Sequence, residues 1–198
     1  MPKIVDHQAR RQELVQATWT VIARHGLSGA TMRQIAEEAG YSNGALARYF
    51  PDKASLIGAT YALVVERTNR RIEAAVDGLR GMAAVELICW EILPSDSELV
   101  QEARLVVSFW EEALKGTDPG VLAAGRAAQD HWRRLIRLKL GEALDDGELR
   151  AGLDLDDSAD FLLTQLFGAH ITALLDERNF SPDRLRRQLR AHLALLAG

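Results

Sequence analysis

This chain of 198 residues predicts an all-α fold of about nine helices. Three observations lead there. Apolar residues recur at three- and four-residue spacing through most of the length, which is the helical period. Runs of β-branched residues are scarce, and the five prolines sit at the edges of the periodic stretches. Serine, threonine and aspartate precede several of those stretches, where a side-chain oxygen can cap the free N–H groups of a helix start. At 47% apolar and 26% charged residues, the composition is that of a folded chain with a buried core.

The chain opens on a short polar arm, residues 1–8, carrying Lys3. A first helix is expected from about Gln8 to His25, with Leu14, Val15, Ala17, Thr18, Val21 and Ile22 on its inner face and Gly26 closing it. Arg10 and Arg11 near its start read equally as a solvated helix end or as contacts to a phosphate. The stretch from Thr31 to Lys53 follows, and the rest of the chain is organised around it. Thr31 and Gln34 have capping-box spacing, and Met32, Ile35, Ala36 and Ala39 then mark one apolar face. Gly40 ends this helix, because glycine takes the left-handed position without steric cost. Ser42 caps the next helix, with Leu46, Tyr49 and Phe50 inside and Asn43, Gly44, Ala45, Ala47 and Arg48 outside.

Two helices joined by a short turn containing glycine make a helix-turn-helix, whose second helix enters the DNA major groove. The small, polar first turn would let the backbone approach a duplex closely. Arg48 offers a planar donor fork suited to guanine or to phosphate. Lys53, just after the cap Asp52, would favour a phosphate together with the helix dipole.

The next helix is expected from Asp52 to about Leu79, apolar at Leu56, Ile57, Tyr61, Val64 and Val65 and polar in its tail from Arg67 to Glu73. Gly78 and Gly81 mark a break. Ala83–Leu93 is a short apolar helix stopped by Pro94. Ser95 with Glu98 reads as a second capping box, opening a helix to about Leu114. Asp118 as cap and Pro119 in the first turn begin another, to about Leu144. Asp154–Arg178 follows, and Ser181-Pro182 starts the last helix, ending near Leu196.

The order T-x-x-x-I-A-x-x-A-G-x-S-x-G from Thr31, then Tyr49-Phe50, then Lys53 two residues beyond Pro51, resembles the tetracycline-repressor (TetR) family of bacterial transcriptional regulators. The run G-A-L-A-R-Y-F is similar to the choline-responsive, BetI-type branch. One position departs from the family: many members carry a phosphate-contacting tyrosine three residues before Phe50, where this chain has Ala47. The resemblance implies a three-helix DNA-binding head, residues 1–52, and a helical ligand-binding and dimerisation bundle, residues 53–198. It also implies that the helix from Asp52 is a lever that moves the head when ligand binds. The expected DNA contacts are Asn43, Gly44, Ala45 and Arg48 to bases, and Thr31, Arg33, Ser42, Tyr49 and Lys53 to phosphates. Leu46 and Phe50 are expected in the core.

The formal charge is −4, unevenly spread: residues 1–58 hold seven Lys/Arg against five Asp/Glu, and the remainder seventeen against twenty-three. A mildly basic head on an acidic body suits a DNA reader with a separate effector domain. In the body, Cys89, Trp90, Phe109, Trp110, His131, Trp132, Phe161 and Gln165 combine aromatic surface with a few polar groups, as a small-ligand pocket requires. For any one of them, core filling is the plainer reading. Phe167, Gly168, Ile171, Leu174 and Leu175 on one helix, with Leu185, Leu189, His192, Leu193 and Leu196 on the last, could form half of a four-helix bundle between two subunits.

The expected partners are therefore a double-stranded operator, a small-molecule effector and a second copy of the chain, with no membrane. The expected function is that of a ligand-responsive regulator, most simply a repressor reading a palindromic operator as a dimer. The rival is a module of the same fold that binds ligand and has lost DNA reading. An enzyme is not expected: the five histidines are scattered, and H-E-x-x-H, G-x-S-x-G, P-loop and dinucleotide motifs are all missing. No cofactor or metal is expected either. A single cysteine rules out an internal disulfide and fits a reducing cytoplasm. The N-terminus does not read as a signal peptide, and no apolar run approaches the ~18 residues of a membrane span.

Overall fold

The computed structural model describes residues 7–116 and 119–198, and of residues 27, 28 and 119 the backbone alone. Lys3 and the cap expected at Asp118 lie outside the described residues. Among those residues there are nine helices and one isolated β-bridge. The first, α1 (His7–Gly29), breaks at Gly26, whose φ of 69° is left-handed, and continues for one further turn. Thr31 caps α2 (Met32–Glu38) through the expected box: its Oγ1 accepts from Gln34 N at 3.2 Å, and Gln34 Oε1 accepts from Thr31 N at 3.0 Å. Gly40, at φ 73°, turns the chain.

Ser42 Oγ then accepts from Ala45 N at 3.2 Å and caps α3 (Asn43–Ala47). This helix is shorter than the sequence pattern suggests. Tyr49 and Phe50 lie beyond it, yet Phe50 N still donates to Leu46 O at 3.0 Å. That bond carries the Phe50 ring inward, where it and Leu46 are both fully buried. The helix α1 packs on α2, and α2 on α3.

Asp52 Oδ1 accepts from Ser55 N at 2.7 Å and opens α4 (Lys53–Ala75), which stops short of Leu79 as the chain turns through Gly78, at φ 70°. The start of α5 (Gly81–Ile92) is capped from outside the helix: Glu142 Oε2 accepts from Gly81 N at 3.2 Å and Glu148 Oε2 from Met82 N at 2.6 Å. Gly81 has φ 57°, and a Cβ there would collide with the Glu148 carboxylate.

The cap of α6 (Ser97–Lys115) is Asp96, not Ser95. Asp96 Oδ1 accepts from both Glu98 N and Leu99 N at 2.9 Å, while Ser95 is buried. The helix starts one residue later than expected, which gives the carboxylate the N-cap position. After α7 (Pro119–Asp145), Asp154 caps α8 (Leu155–Leu175). That helix ends before Arg178 because Asp176 forms a turn, accepting from Asn179 N at 3.2 Å and from its side-chain amide at 2.8 Å. The last helix is α9 (Pro182–Ala194), packed on α5. Beyond it the chain is pinned by an antiparallel bridge between Ala197 and Leu149.

The chain divides into two compact units, Met1–Val64 with Arg104–Ala124, and Val65–Ala103 with Gly125–Gly198. The division does not fall at residue 52. The first half of α4 belongs with the head because Tyr61 stacks on Phe109, ring centroids 3.6 Å apart and nearly parallel, and both rings are buried. Tyr61, deprived of water, has its phenol pushed up to about 12.

Candidate functional site

In the first unit, α3 is anchored from below and open above. Leu46 and Phe50 hold it to the core, and Arg11 lies over the Phe50 ring at 4.1 Å while donating to Tyr49 O at 3.0 Å. Arg10 is likewise engaged inside the head. It pairs with Glu13 at 3.0 Å, and Tyr41 Oη donates to the same carboxylate at 2.7 Å, which holds Glu13 below the usual carboxylate range. These contacts fix the turn between α2 and α3 against α1.

The outer side of α3 is small and polar. Ser42, Asn43, Gly44, Ala47 and Arg48 are exposed, and Ala45 is half-buried. Nothing lies within 4 Å of where a Cβ on Gly44 would stand, so the backbone there is open to close approach. Arg48 makes no ion pair among the described residues. Arg33, also exposed, is held by Glu37 one turn away at 2.8 Å. Lys53 is half-buried, and burial lowers its pKa from the usual lysine value, with Glu112 opposing and Lys115 adding to the shift. Tyr49 is half-buried, its ring 5.9 Å from that of His7. Thr31 differs from the other expected contacts. Its hydroxyl donates to Gln34 Oε1 at 2.8 Å and its backbone N–H goes to the same oxygen, so both donors are committed to the cap.

The expected pocket residues are divided between the two units. Phe109 and Trp110 belong to the first unit and the other six to the second. His131 and Gln165 are exposed, and Phe161 is 49% exposed, so these three are surface positions. Helical geometry explains it: His131 precedes the buried Trp132, about 100° around the axis of α7, and Phe161, Gln165 and Gly168 share the outward face of α8. Trp132 is a core anchor whose Nε1 donates to Asn69 Oδ1 at 2.8 Å. Cys89 is fully buried and its thiol is pushed up to about 12, which makes it inert. Phe161 lines a cavity of ≈ 380 Å³ with Leu153, His192 and Leu195 among others, and Trp90 lines one of ≈ 200 Å³ with Arg71, Glu91, Ser95, Asp96, Glu98, Leu99 and Arg186.

Sequence reasoning missed those partners, reading Arg71 only as part of a polar tail. The available signal was its place one turn after Thr68 and beside Ile72, on the buried side of α4. There the guanidinium bridges three helices, 3.1 Å from Glu91 of α5 and 2.9 Å from the buried Glu102 of α6. Burial raises the Glu102 carboxyl, and Arg71 partly offsets this.

The expected dimer residues split in two. Leu185, Leu189 and Leu193 are buried within their own chain, where α9 packs on α5, so they belong to the core and present no free surface. His192, Leu196, Phe167 and Leu174 are half-buried. The outward stripe is on α8. Phe161, Gly168, Ile171 and Leu175 follow one another at helical spacing, and Leu175 is 80% exposed. By length and hydropathy α8 is long and apolar enough to cross a membrane, a candidate the sequence reading did not raise. Its other face is buried protein core, including Leu162, Leu163, Leu166 and His170. No metal-holding cluster occurs among the described residues.

Residues 14–60 match the family model for bacterial regulatory proteins of the tetR family, and residues 81–198 match that for the C-terminal part of BetI-type transcriptional repressors. The HTH-type transcriptional regulator PksA of Bacillus subtilis is 33% identical over 195 residues, 98% of this chain and 92% of that protein. The BetI regulator of Paraburkholderia phytofirmans is 39% identical over 119 residues, 58% of this chain and 60% of that one. A transcriptional regulator from Saccharomonospora viridis, solved in complex with choline, shares the fold at TM-score 0.88 and 22% identity, covering 96% of this chain and 99% of its own. A TetR regulator from Haloarcula marismortui superimposes at TM-score 0.83 with 20% identity, covering 96% and 100%. The motif from Thr31 to Lys53, the nine-helix order and these matches over both parts of the chain agree: it belongs to the TetR family of DNA-binding transcriptional regulators, and is not an enzyme.

Proposed function

We propose that the protein is a homodimeric repressor that reads a palindromic operator and is released from it by a small molecule. The outward side of α3 carries this reading: a small, polar surface with an exposed Arg48 that makes no ion pair among the described residues, held rigid from beneath by Leu46 and Phe50. Asn43, Gly44, Ala45 and Arg48 meet base edges, while Arg33, Ser42, Tyr49 and Lys53 grip phosphates. Thr31 acts through its cap rather than by donating to DNA. Two copies of α3 reach successive major grooves when their separation matches about one helical turn of DNA, ~34–36 Å. The exposed stripe on α8 supplies the second copy, and Leu196 and His192 extend it. Effector binding shifts the population of dimers whose α3 spacing fits, and by linkage operator DNA weakens effector binding by the same factor.

Fluorescence anisotropy with duplexes tiling the chain's own upstream region, against a random duplex, tests this. One palindromic segment should bind at least ~1000-fold more tightly than random sequence at physiological salt. The second reading, a ligand-binding module without operator recognition, rests on Ala47, which is exposed where many relatives carry a tyrosine. Equal, weak binding to every duplex would favour it. Choline, the ligand of the Saccharomonospora viridis regulator, is a natural first effector to add.

A further inference from the structure

The outward stripe of α8 is symmetric about Gly168. Phe161 lies seven residues before that glycine and Leu175 seven after it, and all three are exposed. Seven residues are two turns of helix to within about 20°, so the three stand in line. Each large side chain is ~10.5 Å along the axis from the glycine. Gln165 and Ile171, three residues to either side, are exposed as well. Nothing lies within 4 Å of where a Cβ on Gly168 would stand. A second backbone can therefore come closest at the middle of the stripe.

The two ends of the stripe differ in shape. At one end Leu175 stands out as a knob, 80% exposed, where α8 stops. At the other end is the groove of ≈ 380 Å³, lined by Phe161 of α8, by His192, Leu195 and Leu196 at the end of α9, and by Leu153. The Phe161 and His192 rings meet edge-on there at 5.9 Å. An apolar cavity of about 150 Å³ holds a benzene ring, so this groove has room for a leucine side chain. Knob and groove thus lie on opposite sides of Gly168, at matching distances from it.

Half a rotation about an axis through Gly168, perpendicular to the helix, exchanges the two ends. The knob of one copy then meets the groove of the other, and the contact occurs twice. We propose that the second copy docks in this register: α8 runs antiparallel to its twin, the two helices cross at Gly168, and Leu175 of each chain enters the groove beside Phe161 of the other. The proposal rests on the dimeric reading above and gives that dimer its axis. The charges agree with it. The groove rim carries both signs, Asp157 and Arg150, and the segment just past Leu175 carries Glu177 and Arg178. All four are exposed and make no ion pair among the described residues. The rotation brings the two segments to the same end of the interface. Parallel pairing would set Asp157 against Asp157, align the two helix dipoles and leave the groove unfilled.

The test is crosslinking of the full-length protein with a bis-maleimide too short to span fourteen residues of helix, ~21 Å. Cys89, the single native cysteine, is fully buried and stays silent. Phe161→Cys with Leu175→Cys in one chain should give at least tenfold more covalent dimer on a denaturing gel than either single variant. Across the axis each new thiol faces the other kind, whereas two thiols of one kind lie two heptads apart. Gln165→Cys with Ile171→Cys should behave in the same way, and this milder pair replaces the first if that variant does not fold or dimerise. Single variants that crosslink as well as the pairs would show a parallel arrangement and overturn the proposal. A dimer by light scattering in which neither pair crosslinks overturns it too. The dimeric reading then survives, and the α8 groove belongs to another occupant. A wild-type chain that is monomeric at micromolar concentration overturns both.

Discussion

Two helices of this protein each turn an exposed face outward, and the faces are opposite in kind. That of α3 is small and polar: Asn43, Gly44, Ala47 and Arg48. That of α8 is large and apolar: Phe161, Ile171 and Leu175 around Gly168. A polar face costs nothing in water and can wait for a charged duplex, whereas an exposed apolar stripe is a standing cost that a second protein surface removes. Both helices are locked by what lies on their inner side, Leu46 and Phe50 for α3, and Leu162, Leu163 and Leu166 for α8. The contrast teaches that the inward residues fix the fold, and the chemistry of the outward ones selects the partner.

The largest effect should come from reversing the polarity of the α8 face. Leu175→Glu removes two leucines from a symmetric interface, about 3–6 kcal/mol, and light scattering should then report a folded monomer. A persistent dimer would move the interface elsewhere. Phe50→Ala strikes the inner side of α3 and should cost about 3–5 kcal/mol of stability, read by chemical denaturation. A loss below 1 kcal/mol would mean that α3 is not held from beneath.

Arg48→Ala alters only the outer side. It should leave stability unchanged, cost about 1–3 kcal/mol on the operator and relax the preference at one base pair. Equal losses on operator and random duplex would make Arg48 a phosphate contact. Lys53→Ala should weaken all duplexes alike and flatten the salt dependence by about one unit of slope; an unchanged slope removes Lys53 from the interface. The smallest effect belongs to His170, on the inner side of α8. Burial lowers its pKa from the usual 6.5, with the Leu166 carbonyl partly opposing. The unfolded chain thus binds a proton more readily, and stability should fall as pH drops through and below 6.5. His170→Gln should flatten that slope in thermal melts across pH 5–7, and an unaltered slope would assign the acid sensitivity to other groups.

The head was legible because its signals are local. The Thr31–Gln34 box, the left-handed Gly40 and the Ser42 cap all act over four residues or fewer, and each forms the bond its spacing implies. The same locality misled at Ser95, where the neighbouring Asp96 was the better placed acceptor. In the body, period alone marked apolar stripes on α8 and α9 as equivalents. The structure buries Leu185, Leu189 and Leu193 and leaves Ile171 and Leu175 outside. Likewise, an aromatic count grouped Trp132 with Trp90, although Asn69 completes the hydrogen bonding of one ring nitrogen and nothing among the described residues completes that of the other.

What the amino-acid order determined by itself was the helical fold, the helix-turn-helix and the family, since caps, glycines and periodicity are settled between near neighbours. Only the tertiary structure decided which stripe faces out, that Arg71 ties Glu91 to Glu102, and that Trp90 and Arg186 share a cavity. Those pairings join residues tens of positions apart. No local rule relates such residues, and packing alone brings them within reach.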